Sequence, residues 1–92
     1  MSPVSPSVVP HIKAMIALKR DELMKSWTPE KCPEEHIEGW LAWQYASSRL
    51  LEEGAEQDQV DMILEVWQMK ARRLGTYNAI AEMFATTIVV AL

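Results

Sequence analysis

The stretch AIAEMFATTIVVAL, residues 79–92, decides how this chain must fold. It carries one charged residue, Glu82, whereas charged residues are frequent in the rest of the chain. A helix that is apolar on every side must be buried on every side. The stretch, which we call the tail, is therefore either the centre of the fold or a surface that another chain covers. We expect an interface between copies, because a chain of 92 residues has few ways to surround its own end.

The tail also contains a local conflict over its secondary structure. Residues 86–90 are all β-branched, which favours an extended strand. A lone strand in a helical domain would have to join the edge of another chain's sheet, so helix and strand both stay open for residues 86–92. In either case the predicted partner interface includes the large apolar side chains of the tail: Ile80, Phe84, Ile88, Val89 and Leu92.

Length and composition indicate one small domain. Apolar residues make up 49% of the chain and charged residues 24%, which is typical of a globular protein. The single cysteine, Cys32, excludes an internal disulfide. The first residues lack the pattern of a signal peptide, and the tail is shorter than the ~20 residues of a membrane span. We expect a flexible arm at 1–6, one domain at 7–92, a cytoplasmic location and no membrane span.

Apolar spacing predicts an all-α fold, a small helical bundle of three long helices plus a short apolar C-terminal helix. Gly75 predicts a break before the fourth helix, which Thr76 would cap. The alternative is one continuous helix from residue 56 into the tail, because apolar residues keep a seven-residue spacing across Gly75 and one glycine costs only ~1 kcal/mol. The three long helices are expected at residues 7–26, 33–53 and 56–74.

The net charge of −4 conceals a segregation along the chain. Residues 1–29 carry +2, residues 30–65 carry −8 and residues 66–92 carry +2. An acidic middle between two basic ends can fold on itself or dock head to tail on a copy. The pattern also argues against nucleic acid as a partner, because nucleic-acid binding needs several basic groups on one face.

Four tryptophans are many for a chain of this length. Trp40 and Trp43 lie about 60° apart on the second helix, so both can point inward only if the covered arc is wide. Tryptophans are enriched among the residues that dominate binding energy at interfaces. We therefore predict that at least one of Trp40 and Trp43 contacts a partner chain, and that Trp67 belongs to the core.

The residues that could carry chemistry do not form a complete site. Cys32 and His36 stand four residues apart, but a zinc site needs four ligands and a thiol enzyme needs an oriented base and an oxyanion hole. No glycine-rich phosphate loop is present in the sequence. We therefore predict no catalytic residue, no metal site and no cofactor, and keep a small metal- or thiol-dependent enzyme as a second alternative.

Lys70, Arg72 and Arg73 form the one basic cluster, just before Gly75 and the start of the fourth helix. Arginine forks and the N–H groups of a helix start both bind phosphate, so a small anionic ligand such as a nucleotide is an alternative partner. The simpler interpretation is that these bases complement the dipole at the end of the third helix.

Small residues on the second helix predict a close approach to another helix. Its small side chains are those of Ala42, Ala46, Ser47 and Ser48. Gly39 is placed mid-helix, where a glycine lowers stability and so suggests a packing reason.

These observations favour a non-enzymatic protein–protein interaction module. We interpret the chain as a self-associating adaptor, inhibitor or assembly component. A compact single domain with an apolar terminus and no catalytic motif is typical of virion proteins and of small virus-encoded inhibitors. Its expected partners are itself, as a homo-oligomer, and another protein.

Overall fold

The computed structural model of the chain describes residues 8–88. Four α-helices and no strand occur within that range, which confirms the prediction of a small all-α fold. None of these helices combines the length and the apolar character that crossing a bilayer requires. The helices are α1 (Val8–Met24), α2 (Ile37–Glu52), α3 (Gln57–Leu74) and α4 (Thr76–Met83).

A loop with two prolines connects α1 to α2. Pro33 leads into one 3₁₀ turn, Glu34–His36, so α2 itself begins at Ile37, four residues later than the sequence predicts. Within the loop, the indole N–H of Trp27 donates a hydrogen bond to the Cys32 sulfur, with the two atoms 3.2 Å apart. This contact supplies the partner that a partly buried indole needs.

The connection between α2 and α3 is tight because each helix end satisfies its own backbone groups. Gly54 adopts φ 100°, and the N–H of Ala55 reaches back to the carbonyl of Leu50, as expected of a helix stop at glycine. The Glu56 side chain then accepts from the backbone of Gln59, whose own side chain accepts from the Glu56 N–H at 3.0 Å. This reciprocal pair fixes where α3 starts.

Gly75 separates α3 from α4, so the predicted break is confirmed and the continuous helix is wrong. Its φ and ψ are 90° and 152°, a region that essentially only glycine occupies. Its N–H bonds to the carbonyl of Ala71 at 2.8 Å and its carbonyl accepts from Ala79 at 3.0 Å, so one residue ends α3 and begins α4. The prediction that Thr76 caps α4 is wrong, because Thr76 is already helical and Gly75 holds the cap position.

The first part of the tail is the centre of the fold. Ala79, Ile80, Ala81 and Met83 are essentially inaccessible to solvent, and α4 packs against α1, α2 and α3. The preference for an interface between copies is therefore corrected for residues 79–83. The apolar residues of α4 fill the space between the other three helices. Asn78 and Glu82 lie on its remaining side, which is open to solvent, so α4 is not buried on every side as its composition predicted.

The β-branched end of the tail continues the helical path as far as the structure describes it. Residues Phe84–Ile88 form one π turn, and the Thr86 hydroxyl donates to the carbonyl of Glu82 at 2.9 Å. The extended alternative is thus wrong for residues 86–88, while residues 89–92 lie outside the described range. β-branched residues are disfavoured in a helix but not excluded from one, and a threonine hydroxyl that bonds to the carbonyl of the preceding turn often bends the helix.

The small residues of α2 have two different roles. Ala42 and Ala46 are fully buried, as the predicted close approach requires. A Cβ added to Gly39, in contrast, would meet no atom within 4 Å, so the packing reason suggested for this glycine is wrong.

Part of the charge segregation is used inside the fold. Arg20 of α1 pairs with Glu38 of α2 at 2.6 Å, and Lys19 lies 3.8 Å from Glu52. These exposed pairs contribute little stability individually, about 0–1 kcal/mol each. They do align the basic helix α1 with the acidic helix α2.

Candidate partner interface

Half-buried tryptophans lie along the border of the buried face of α2. The buried face is formed by every third or fourth residue of the helix, including Leu41, Tyr45 and Leu50. Trp40 and Trp43 pack against this core with part of each side chain and leave the remainder open to solvent. Both rings are therefore held in place by the core while they offer apolar surface to a partner, and we call this the tryptophan face.

The tryptophan face continues toward the end of α2. Ser47 and Leu51 follow Trp40 at helical spacing, and Leu51 is exposed. The face is built on a helix whose other side is fixed by burial, so its rings are presented without a mobile loop. Rigid aromatic side chains lose little conformational entropy when a partner covers them.

The other two tryptophans have intramolecular contacts of their own. Trp27 is engaged with Cys32 in the loop after α1. Trp67 of α3 packs against the core, and the ammonium of Lys70 lies 4.3 Å from the centre of its ring. Trp67 is only half-buried, so its predicted place in the core is correct for one side of the ring and not for the other.

The end of the described tail carries one aromatic contact with α2. Phe84 is half-buried and meets Tyr45 edge to face, with ring centres 6.1 Å apart and planes at 76°. Burial raises the pKa of Tyr45 above 10.0; nearby Arg49 lowers it and Glu52 raises it further. Because burial is the largest cause, the phenol is held in its neutral form within the packed core.

The tail residues predicted to form a partner interface fall into three groups. Ile80 is fully buried inside the single chain, so a partner could not reach it without unfolding α4. Phe84 is half-buried at the edge of the core. Ile88 ends the π turn, and its side chain lies outside the described part of the structure, as do Val89 and Leu92.

The basic cluster does not converge on one point. Lys70, Arg72 and Arg73 are exposed on α3, and Lys70 and Arg72 lie about 160° apart around the helix axis. The three basic side chains of one chain are therefore not arranged to bind the same phosphate together. Their position in the last turns of α3 is the one that complements the helix dipole.

Cys32 and His36, the two candidate metal ligands or catalytic residues, have no third ligand or catalytic group beside them in the described part of the chain. The Cys32 sulfur accepts the Trp27 indole, and His36 is exposed in the 3₁₀ turn. Within residues 8–88, no three His, Cys, Asp or Glu side chains gather as a metal-binding group, and no charged side chain is buried. The arrangement offers contact surface rather than a desolvated acid–base pair.

One exposed apolar surface is missing from the sequence prediction. Met62, Val66 and Met69 of α3 are exposed by 66%, 47% and 64%. Their spacing of four and three residues places them on one side of the helix, and that periodicity was the available signal. This spacing is hard to recognise in the sequence, because Ile63, Trp67 and other apolar residues of α3 face the core. Apolar residues therefore occur on both the core side and the solvent side of the helix.

Comparison with known proteins gives one result. No curated protein and no solved structure matches the chain. A family model described as "Phage tail protein (Tail_P2_I)" matches residues 7–90, which is most of the chain and includes all four helices. On that match the chain belongs to this phage tail protein family.

Proposed function

We propose that this chain is a structural component of a phage tail that acts by binding other proteins and catalyses no reaction. The observation that carries the proposal is the family match over residues 7–90. The described structure suits such a role, because half-buried aromatic side chains and exposed apolar side chains lie on a closed core. Self-association, as a homo-oligomer, is part of the proposal.

The partner-binding surface in this proposal is the tryptophan face of α2. Trp40 and Trp43 are anchored on the core and half-open to solvent, which suits residues that a partner buries completely. Phe84 remains part of the proposed partner surface on the tail side, and its contact with Tyr45 fixes it to the buried face of α2 and not to the tryptophan face. The remaining tail positions Ile88, Val89 and Leu92 are assigned to the same partner surface as predictions from the sequence.

A complementation assay tests this proposal. A phage from which the gene for this chain is deleted is supplied with the wild-type chain, Trp40→Ala or Trp43→Ala, and complete tails are counted by electron microscopy. We expect at least one variant to reduce the number of complete tails strongly while circular dichroism shows unchanged helicity. A hot-spot aromatic contributes ~2 kcal/mol or more to association, which is a loss of about thirtyfold or more in affinity.

The matched control is Trp67→Ala, which removes a half-buried tryptophan from a different helix. It should lower the melting temperature as the α2 variants do, since all three tryptophans pack against the core, and it should affect assembly only through that loss of stability. Normal tails from both α2 variants, at wild-type protein levels, would contradict the assignment of the tryptophan face. Normal tails without any copy of the chain would contradict the proposed function itself.

A further inference from the structure

Helix α3 has an apolar stripe that the fold leaves uncovered. Met62, Val66 and Met69 form this stripe on the side of α3 that faces away from fully buried Val60. Methionine is enriched at protein interfaces and adapts its shape to a partner. Three large apolar side chains exposed by about half or more, in a row on one helix, are more than the scattered exposure of a normal surface.

The charges of α3 are ordered along its axis, and they make no ion pair with the other described helices. Asp58, Asp61 and Glu65 lie in its first half, and Lys70, Arg72 and Arg73 lie in its second half. All six are exposed, and none of them forms an ion pair within residues 8–88. The acids and bases of α1 and α2, in contrast, are partly paired with each other.

Four of these charges lie in line with the stripe or beside it. Arg73 continues the line of the stripe, four residues after Met69. Asp58, Glu65 and Arg72 are spaced by seven residues, so they follow the same flank of the stripe. An antiparallel copy of α3 would bring the acidic start of one flank next to the basic end of the other. A two-fold axis makes every such contact twice, so the surface is complementary to itself.

We propose that α3 is a self-docking helix, which pairs antiparallel with α3 of a second copy of this chain across the stripe. Val66 lies near the two-fold axis, and Met62 packs against Met69 of the partner subunit. Asp58 faces Arg72 of the partner subunit on both sides of the axis. The inference rests on the proposed function, of which it specifies the homotypic contact, and it concerns a surface other than the tryptophan face.

The size of the stripe sets the strength of the contact. Its exposed apolar area is on the order of a few hundred Å², below the ~800 Å² per partner of a stable complex. Flanking charges enlarge the contact but add little energy in water. The pairing is therefore weak, with a dissociation constant of about micromolar or higher, and it becomes important when neighbouring subunits hold two copies close together.

The test is sedimentation of the full chain over a range of concentrations, with two single variants that reverse one charge each. Asp58→Arg places two arginines opposite each other at both ends of the contact, and Arg72→Asp places two aspartates there. Each variant alone should dimerise about tenfold more weakly than the wild type at low salt. An equal mixture of the two variants should recover wild-type dimerisation, because each mixed pair restores both attractive contacts.

The stripe itself is tested by Met69→Gln, which keeps the length of the side chain and replaces the thioether with an amide. It should abolish the dimer at concentrations where the wild type is largely dimeric. The matched control is Leu18→Gln on α1, where another apolar residue, exposed by 79%, becomes polar outside the stripe. This control should dimerise as the wild type does.

Several outcomes would overturn the inference. A wild-type chain that remains monomeric at every concentration excludes the second copy as the occupant, even if Met69→Gln reduces tail assembly, since a different protein would then cover the stripe. Charge variants that do not recover on mixing exclude the antiparallel arrangement. A chain that is monomeric at every concentration would also contradict the self-association included in the proposed function. The proposed role as a protein-binding component of the phage tail is tested separately, by the complementation assay with the α2 variants.

Discussion

Replacing Gly75 with alanine should destabilise the fold although it adds only one methyl group. Gly75 has φ 90° and ψ 152°, and it holds the carbonyl end of α3 and the start of α4 at once. The nearest atom that a new Cβ would meet is the Asn78 side-chain nitrogen, at 3.8 Å, so the change causes no steric overlap there. The cost is therefore backbone strain alone, which makes the magnitude calculable.

Strain in this part of conformational space costs about 1–3 kcal/mol for a residue with a side chain. Restricting the unfolded chain returns roughly 0.4–1 kcal/mol. The net loss of unfolding free energy should thus be about 1–2 kcal/mol. In a domain of this size each kcal/mol corresponds to about 4–8 °C, so the melting temperature should fall by roughly 5–15 °C.

Gly39→Ala is the matched control, because it makes the same chemical change within α2. Gly39 is helical, and its added Cβ would meet no atom within 4 Å, so alanine should stabilise the protein by about 0.5–1 kcal/mol. Thermal and urea denaturation, followed by circular dichroism, measure both variants. A Gly75→Ala protein as stable as the wild type would refute the reasoning. So would one in which α3 and α4 merge into a single helix, detected as an increase in helicity and molecular length without loss of stability.

Three further predictions concern the tail and its neighbours. Ile80→Ala should lower the free energy of unfolding by about 2–5 kcal/mol in chemical denaturation, because it leaves a cavity in the core, and a loss below 1 kcal/mol would place Ile80 outside it. Deleting residues 79–92 should leave the chain unfolded or insoluble, whereas a folded, soluble product would contradict the central place of α4. Because burial raises the pKa of Tyr45 above 10.0, the neutral phenol stabilises the fold below that pH, and this stabilisation should disappear as the pH rises through the raised pKa. Tyr45→Phe should remove that alkaline loss of stability in melts across the same pH range; an unchanged alkaline loss would show that another group causes it.

The helices could be predicted from the sequence because their signals are local. Glycine at 54 and 75, proline at 33 and the early acids of α3 each act through the backbone within one or two turns. The predicted start positions of α2 and α4 were less accurate than the helices themselves. The 3₁₀ turn before Ile37 and the glycine cap of α4 depend on how the neighbouring elements pack, which no short window of sequence contains.

The partner interface could be predicted only in part. Composition shows that an apolar segment must be covered, but it does not show whether the same chain or a partner covers it. The tail had to be buried, and the choice between its own chain and another depended on whether three helices leave a central space. The structure has that space, and Ile80 and Met83 occupy it. The stripe on α3 could not be predicted for a related reason: when a helix has two apolar sides, periodicity alone does not say which side faces the core.

The placement of α4 in the core has a consequence for assembly. A tail exposed to solvent would associate with any apolar surface, including a copy of itself, before the correct partner arrived. With residues 79–83 enclosed, the described chain presents half-buried tryptophans on α2 and a narrow apolar stripe on α3. In the proposed assembly each of these two contacts is weak alone, and together they are strong because the second contact forms at high effective concentration. We therefore expect such a subunit to dissociate from wrong neighbours and to stay with the pair that fits both surfaces.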